Sequence, residues 1–245
     1  MRWEKFRLGR TPRYTPARTD ILGRPVKMVD AASFLFIYGE VFEEQIYRFK
    51  AKTERPRIID GGANIGLSVI YFKQLYPGSR ITAFEPDGSV FEALKENLAA
   101  FGYDDVECVR KALWSSETTL DFLHEGADGG RVPQAGDMGS ISPVPAVSLR
   151  QYLTEPVDLL KLDVEGAETE VLKDCADLLR NVEYLFVEYH SFVNRPQGLN
   201  TIIDIMAGAG FRLHIHPPLT SPQPFYERRT HFGMDMQLNI FGFRE

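Results

Sequence analysis

Strand-like and helix-like segments alternate from residue 57 to the C-terminus, and this alternation restricts the fold more than any other feature of the sequence. Short apolar runs are typical of buried strands, whereas apolar residues three and four positions apart are typical of helices. Seven strands are predicted, at 57–60, 81–84, 106–109, 159–163, 184–188, 211–215 and 237–243. Helices are predicted at 65–76, 90–98, 171–179 and 199–206. Because strands separated by helices form parallel β-α-β units, we expect an α/β fold with a doubly wound, mostly parallel seven-stranded sheet.

The residues before this alternation, 1–56, are predicted to form an N-terminal extension to a domain at 57–245. The first 30 residues are rich in Arg, Pro and Thr and show no clear period. Their basic side chains are expected in a solvated arm. Phe42, Ile46 and Phe49 recur at helical spacing, which predicts an amphipathic helix that ends before Pro56.

Local signals mark helix ends and interruptions. Ser89 and Glu92 have the spacing of a capping box at the start of the second helix, and Gly102 stands just past its end. Residues 125–142 are rich in Gly and polar side chains, and they are expected to form either a mobile insertion or a flap over the site. Residues 217–231, with four prolines, are expected to form a second irregular loop.

Composition excludes several classes of protein. The net charge of −6 argues against nucleic acid as the main partner, because phosphate binding requires a basic face. Cys108 and Cys175 form no CxxC pair, and they are expected to be reduced thiols in a cytoplasmic protein. We see no signal peptide, and the longest early apolar run is too short to span a membrane.

The loop after the first strand indicates the kind of ligand. It reads D-x-G-x-N-x-G from Asp60 to Gly66, and small residues there let the backbone turn sharply and approach a ligand. Ala63 breaks the dinucleotide pattern G-x-G-x-x-G. Glu85 ends the second strand, which is the expected position for an acid that binds a ribose. The pattern therefore favours a nucleoside ligand with a cationic aminoacyl sulfonium group, with Asp60 near its ammonium.

Five segments together resemble the FkbM-type methyltransferases, and they lie at 59–66, 83–86, 160–168, 186–190 and 237–241. The block D-V-E-G-x-E that begins at Asp163 is the most specific of them. The resemblance implies a class I methyltransferase fold, S-adenosylmethionine as cofactor, and O-methylation of sugars in glycans or of hydroxyls in natural products. The expected cofactor-binding residues are Asp60, Gly61, Gly62, Ala63, Asn64, Gly66, Glu85, Pro86, Ala112 and Asp163.

Catalytic candidates stand at the ends of the fourth and fifth strands. Asp163 ends the fourth strand and is expected to face the cofactor. Glu188 and His190 are two residues apart on one strand, so their side chains point to the same side. We expect His190, oriented by Glu188, to act as a general base, because an unperturbed imidazole titrates near neutral pH. Glu168, in the first turn of the next helix, is equally well explained by the helix dipole alone.

Binding of the acceptor is assigned to Tyr38, Glu40, Glu165 and His190. A small-molecule or glycan acceptor is expected, but the sequence specifies neither its identity, nor whether oxygen or nitrogen accepts the methyl group, nor the oligomeric state. His214 and His216 alternate on a strand without a third ligand at metal-site spacing, and we interpret them as structural or rim residues.

A metal site is not favoured by the sequence, although Asp163 and Glu188 come from neighbouring strand ends and could share a divalent cation. No third strand-end acid is evident, so no metal ligand is assigned.

Two other functions stay open. One is a nicotinamide-dependent oxidoreductase, against which Ala63 argues; the other is a nucleoside-binding domain without catalysis, against which the acids beside His190 argue.

Overall fold

The computed structural model describes residues 2–127, 129–133 and 139–244. The strands are β1 (Ala17–Thr19), β2 (Val26–Met28), β3 (Arg57–Gly61), β4 (Arg80–Phe84), β5 (Glu107–Val109), β6 (Ala112–Trp114), β7 (Thr118–His124), β8 (Ser140–Ser148), β9 (Val157–Leu162), β10 (Val182–Phe192), β11 (Arg212–Leu219) and β12 (Met234–Phe243). The α-helices are α1 (Arg2–Leu8), α2 (Ala31–Tyr38), α3 (Leu67–Leu75), α4 (Gly88–Phe101), α5 (Glu168–Cys175) and α6 (Leu199–Gly208). A π-helix spans Gly39–Glu44, and 3₁₀ turns span Leu149–Tyr152 and Ala176–Asn181.

Seven strands form the central sheet, in the order β11-β12-β10-β9-β3-β4-β5. The five strands from β10 to β5 pair in parallel, while β12 lies antiparallel between β10 and β11. The strand order reverses between β3 and β9, and at such a point loops diverge and leave a crevice at the carboxyl ends of the strands. The prediction of a doubly wound, mostly parallel seven-stranded sheet is confirmed.

Helices cover both faces of the sheet. On one face, Val171 of α5 and Ile202 of α6 pack with Leu160 and Val187 of the sheet. On the other face, α3 and α4 pack against the alternate residues of the same strands, including Phe186. Full burial of such side chains stabilises the fold by about 1.5–3 kcal/mol each. Because side chains alternate along a strand, each buried strand carries two apolar faces, as parallel sheets require.

Helix α4 begins at Gly88, two residues before its predicted start. Asp87 is its N-cap, and the carboxylate accepts hydrogen bonds from the backbone N–H groups of Ser89 and Val90. The expected role of Ser89 as the cap was therefore wrong, because an Asp two residues earlier caps the helix better with its charge near the helix N-terminus. Gly102 ends the helix with φ +73°, as predicted.

A second, three-stranded sheet of order β6-β8-β7 was not predicted. The prediction of an irregular segment at 125–142 is wrong for 140–142, which belong to β8; residues 128 and 134–138 lie outside the described residues. Pro143 and Pro145 made this strand hard to detect, since proline cannot donate to a strand ladder. Both prolines lie where β8 pairs with β7 alone, because β6 pairs only with Ala146–Ser148.

The helix expected around Phe42–Phe49 was also misplaced. The helical segment begins at Ala31, where Asp30 caps it by accepting from the backbone N–H of Ser33, and it continues as the π-helix until Gln45, which has φ +56°. Residues of the N-terminal extension pack into a shared core with α3 and α4; among them are Leu8, Met28 and Phe34. Within the described residues, no helix is both long and apolar enough to cross a membrane.

Candidate active site

A cavity of about 550 Å³ opens at the carboxyl ends of the parallel strands. Predicted residues that line it are Glu40, Gly62, Ala63, Asn64, Glu85, Pro86, Ala112, Asp163, Glu165, Glu188 and His190. The predicted residues Tyr38, Asp60, Gly61 and Gly66 are not among the lining residues. Its volume is typical of small-molecule sites.

The loop after β3 forms one wall because its backbone adopts conformations that few residues tolerate. Gly62 has φ +84°, and a Cβ at this position would lie 1.8 Å from the carbonyl oxygen of Asp163. Asn64 has φ +50°, in the left-handed region where Asn is tolerated better than most residues. The loop therefore runs directly against the end of β9, which brings the ends of two strands to one side of the cavity.

Glu85 directly follows β4, contacts the loop after β3, and is only 7% exposed. One carboxylate oxygen accepts from the backbone N–H of Asn64 at 3.1 Å, and the other accepts from that of Asp87 at 2.8 Å. Burial raises the pKa of Glu85 to about 8, although these two hydrogen bonds act in the opposite direction. A carboxylate has about four acceptor positions, so two remain for hydroxyl groups in the cavity.

Asp60 lies behind the cavity wall rather than in it. Its carboxylate is fully buried, accepts from the hydroxyl of Ser68 at 2.5 Å, and lies 3.1 Å from the ammonium of Lys161. Asp60, which was expected near a ligand ammonium, therefore faces Lys161 rather than the cavity. Gly61 and Gly66 are enclosed by Leu113 and Leu94, respectively, so their role is to allow close packing.

Tyr38 is also placed away from the cavity. Its ring is 6% exposed and stacks between Phe34 and Phe42. Glu40, two residues later, does line the cavity. Burial, and then repulsion by Glu188 and Asp163, raises the pKa of Glu40 to about 8.

Four side chains near the carboxyl ends of β9 and β10 form a group that we call the strand-end cluster: Asp163, Glu165, Glu188 and His190. The first two follow β9, and the last two lie within β10, which continues past the predicted strand end to Phe192. Nε2 of His190 lies 3.6 Å from Oε2 of Glu165, 3.6 Å from Oε1 of Glu188 and 3.9 Å from Oδ1 of Asp163. The expected shared side of Glu188 and His190 is thus observed. Burial, and then repulsion by Glu188, raises the pKa of Asp163 to about 7.

His190 is held by a different residue from the one expected. Its Nδ1 lies 3.0 Å from Oε1 of Glu168, which also accepts from the backbone N–H of Gly166. Burial opposes a charge on the imidazole, but the carboxylates of Glu165 and Glu168 outweigh it and raise the pKa of His190 well above its usual value. Glu168, rather than Glu188, therefore orients the ring.

No metal ligand was predicted from the sequence, because no third strand-end acid was evident. That reason does not hold in the structure. Donor atoms of Asp163, Glu165 and His190 all lie within 4.8 Å of one another, because Glu165 turns back toward the sheet with φ +52°.

Lys161 and Tyr47 also line the cavity, and neither was predicted. Lys161 is almost fully buried; its ammonium lies 3.3 Å from Asp163 and donates to the carbonyl of Gly62 at 2.8 Å. A lysine between two leucines of a buried strand was a signal that could have identified it, since buried charges are paired. Tyr47 packs edge-on against Phe186 and came from a segment whose pattern suggested only a helix face.

A row of three polar side chains in contact borders the cavity next to Glu85. Asp87 lies 2.5 Å from Nδ1 of His124, and Nε2 of His124 lies 2.6 Å from the hydroxyl of Ser142. These contacts join α4 to β7 and β8, and they anchor the three-stranded sheet at the cavity. These contacts were not predicted from the sequence, because the three residues come from segments that are distant in the chain.

Apolar side chains line the outer part of the cavity, beyond the strand-end cluster. They are Phe36, Ile37, Val132, Phe192, Leu219, Phe232 and Met234. Both long segments that interrupt the alternation contribute to this wall, as expected from loops at the ligand edge of a sheet.

The chain is similar to known methyltransferases. The model of the methyltransferase FkbM domain matches residues 60–213. Methyltransferase sdnD of Sordaria araneosa is 34% identical, with 60% of this chain and 72% of that protein covered. The 31-O-demethyl-FK506 methyltransferase FkbM of Streptomyces tacrolimicus is 25% identical, with 77% of this chain and 86% of that protein covered.

A solved structure of methyltransferase FkbM from Methylobacillus flagellatus has a similar fold. Its TM-score is 0.54 at 15% identity, and the match covers 82% of this chain and 46% of that chain. The sheet order and the cavity at its carboxyl edge define a class I methyltransferase fold. The chain belongs to the FkbM family of methyltransferases, and it is a methyltransferase.

Proposed function

We propose that this protein transfers a methyl group from S-adenosylmethionine to a hydroxyl group of a sugar, glycan or natural product. The single observation that carries the proposal is that one cavity joins a buried Glu85 to the strand-end cluster. A ribose-binding acid and a group of carboxylates at adjacent strand ends are the two parts that such a transfer needs.

The residues of the cavity fit this cofactor. The two free acceptor positions of Glu85 suit the two hydroxyls of a ribose, and the close approach of Gly62 to Asp163 leaves room that a Cβ would fill. Asp163 supplies negative charge at the end of β9, where a cationic sulfonium or ammonium is favourable. When bound, S-adenosylmethionine supplies an electrophilic methyl group.

The strand-end cluster would receive the acceptor. In-line displacement requires that the accepting oxygen be held on the axis of the breaking bond, so positioning is the main contribution of the protein. Glu188 faces the cavity and is the carboxylate of the cluster that we assign as proton acceptor. His190 is reassigned from base to positioning residue, because Glu168 holds its Nδ1 and the carboxylates of Glu165 and Glu168 raise its pKa.

Oxygen as the accepting atom is supported by the name of one relative, the 31-O-demethyl-FK506 methyltransferase FkbM of Streptomyces tacrolimicus. The apolar outer wall suits an acceptor that presents a hydroxyl from a largely apolar body. A nicotinamide-dependent reaction is not supported, because Ala63 stands where the dinucleotide pattern requires glycine.

The test has a binding arm and a reaction arm. Calorimetry of the full chain with S-adenosylmethionine, its demethylated product and NAD should show binding of the first two only. Mass spectrometry of a pool of hydroxylated glycans and metabolites, incubated with the protein and cofactor, should show a gain of one methyl group on oxygen. Tight binding of NAD would contradict the cofactor assignment, and exclusive methylation of nitrogen would contradict the acceptor assignment.

A further inference from the structure

Three donor atoms of the strand-end cluster converge on one point of the cavity, and we propose that Asp163, Glu165 and His190 bind one divalent metal cation there. The donor atoms lie within 4.8 Å of one another. From Nε2 of His190, the nearest oxygens of Glu165 and Asp163 lie at 3.6 and 3.9 Å. These distances are too long for hydrogen bonds.

The same distances suit ligands of one ion. Metal–oxygen and metal–nitrogen bonds of about 2.1 Å place neighbouring ligand atoms roughly 3 to 4 Å apart. Asp163 is arranged for this role, since Lys161 lies 3.3 Å from Oδ2 while Oδ1 faces His190. One oxygen of the carboxylate is thus held by an ion pair, and the other is directed into the cluster.

The orientation of His190 is the one that metal sites in proteins use. Nδ1 lies 3.0 Å from the buried carboxylate of Glu168, which sets the ring and directs Nε2 toward the other donors. A carboxylate behind a ligating histidine fixes its tautomer and raises its basicity. The contact with Glu168 therefore has a function that a merely structural histidine would not need.

A buried amide on the neighbouring strand links a further acid to the cluster. Asn239 is fully buried and stands directly opposite Glu188 in the β10–β12 ladder, so its side chain is on the same face of the sheet as the cluster. Its amide interacts with the carboxylate of Glu40, which also lines the cavity.

Charge supports the same conclusion. Glu40 lines the same cavity as the three carboxylates of the cluster and is repelled by Glu188 and Asp163, whereas the ammonium of Lys161 lies 3.3 Å from Asp163 alone of the three. A divalent cation offsets this repulsion. Mixed carboxylate and imidazole donors suit first-row divalent ions such as Mn²⁺ better than Ca²⁺, which prefers oxygen ligands alone.

The role of the cation in the reaction rests on the proposed function, but the site itself does not. An open coordination position toward the cavity would hold the accepting oxygen and lower the pKa of its hydroxyl. Glu188, which is not one of the three ligands, stays available to take the proton.

Mn²⁺ binding to the full chain, after removal of metals with a chelator, tests the site directly. Electron paramagnetic resonance should count one bound Mn²⁺ per chain, and pulsed measurements should show coupling to a nitrogen from His190. Absence of binding at millimolar Mn²⁺, or bound Mn²⁺ without nitrogen coupling, would overturn the proposal. This measurement needs no variant, so it does not depend on the folding of one.

Glu165→Gln should weaken Mn²⁺ binding by about tenfold or more, since even outer-shell changes cost that much in metal sites. The matched control is Glu170→Gln, because Glu170 is 45% exposed and pairs with Lys173 outside the cavity. Equal Mn²⁺ affinity in both variants would overturn the assignment of Glu165. Calorimetry of the wild-type chain with S-adenosylmethionine separates the two proposals. A wild-type chain that binds Mn²⁺ but does not bind S-adenosylmethionine contradicts the proposed function alone.

Discussion

Glu168 in the first turn of α5 and His190 in β10 meet inside the protein, with 3.0 Å between Oε1 and Nδ1. Both side chains are almost fully buried. The contact joins a helix N-terminus to the strand beside it, and it sets the direction of the imidazole in the cavity. The residue that looked like a helix-dipole acid in the sequence is therefore the one that orients the candidate active-site histidine.

Glu168→Gln should lower stability and turnover together while leaving cofactor affinity unchanged. A neutral amide replaces a charge-assisted hydrogen bond, which costs about 1 kcal/mol or more of unfolding free energy. Urea unfolding and steady-state kinetics would measure the two effects, with Glu170→Gln as control. Equal kcat values for wild type and Glu168→Gln would show that the contact is structural only.

Glu85→Gln should weaken binding of S-adenosylmethionine without unfolding the protein. A charge-assisted hydrogen bond to each ribose hydroxyl is worth about 1.5–3 kcal/mol, and the amide retains part of this. The expected loss is roughly tenfold to a hundredfold in affinity by calorimetry. Glu92→Gln is the control, since Glu92 is 62% exposed on α4. Equal affinities of the two variants would remove Glu85 from the cofactor site.

The same substitution should change how stability depends on pH. The pKa of Glu85 in the free folded protein is raised to about 8, above its unfolded value, so the folded state binds the extra proton. Its contribution is fully present below about pH 4.5 and is lost as pH rises toward 8. One such group changes the unfolding free energy by at most about 1.4 kcal/mol per pH unit. Urea unfolding between these limits should show a shallower decline for Glu85→Gln than for wild type; parallel curves would contradict the raised pKa.

Gly62→Ala should be much more harmful than Gly102→Ala, although both glycines have positive φ. Both changes force a side chain into the left-handed region, which costs about 1–2 kcal/mol. Only at Gly62 would the new Cβ also collide with a backbone, 1.8 Å from the Asp163 carbonyl, whereas nothing lies within 4 Å at Gly102. Thermal unfolding and cofactor binding of both variants would measure the difference. Similar losses in both would mean that the close approach to Asp163 is not needed.

Glu188→Gln should lower kcat by about 10²–10⁴-fold, the usual contribution of a positioned general base, with cofactor affinity intact. The amide is nearly isosteric and can keep a contact with Gln237, which donates to Glu188. Rapid-quench measurement of methyl transfer would isolate the chemical step. Near-normal transfer would show that alignment of the acceptor suffices without Glu188 as a base.

The fold was largely predictable because its signals are local. Each parallel strand is buried on two faces, so it appears as a short apolar run, and the helices between the strands keep an apolar stripe. The glycine-rich loop and Glu85 were predictable for a similar reason, since a tight turn at a strand end limits the residues that fit. Where two local signals competed, as at Asp87 and Ser89, the choice depended on geometry that spacing does not contain.

The sequence by itself determined the doubly wound sheet, the loop after β3 and the side of β10 that carries Glu188 and His190. Only the tertiary structure decided that Glu168 holds His190, that Asp60 pairs with Lys161 behind the wall, and that Glu165 joins Asp163. The physical reason is that period and spacing give the direction of a side chain from its own element, whereas its partner comes from another element. Packing across the sheet edge settles which carboxylates lie close together and which of them pair with Lys161.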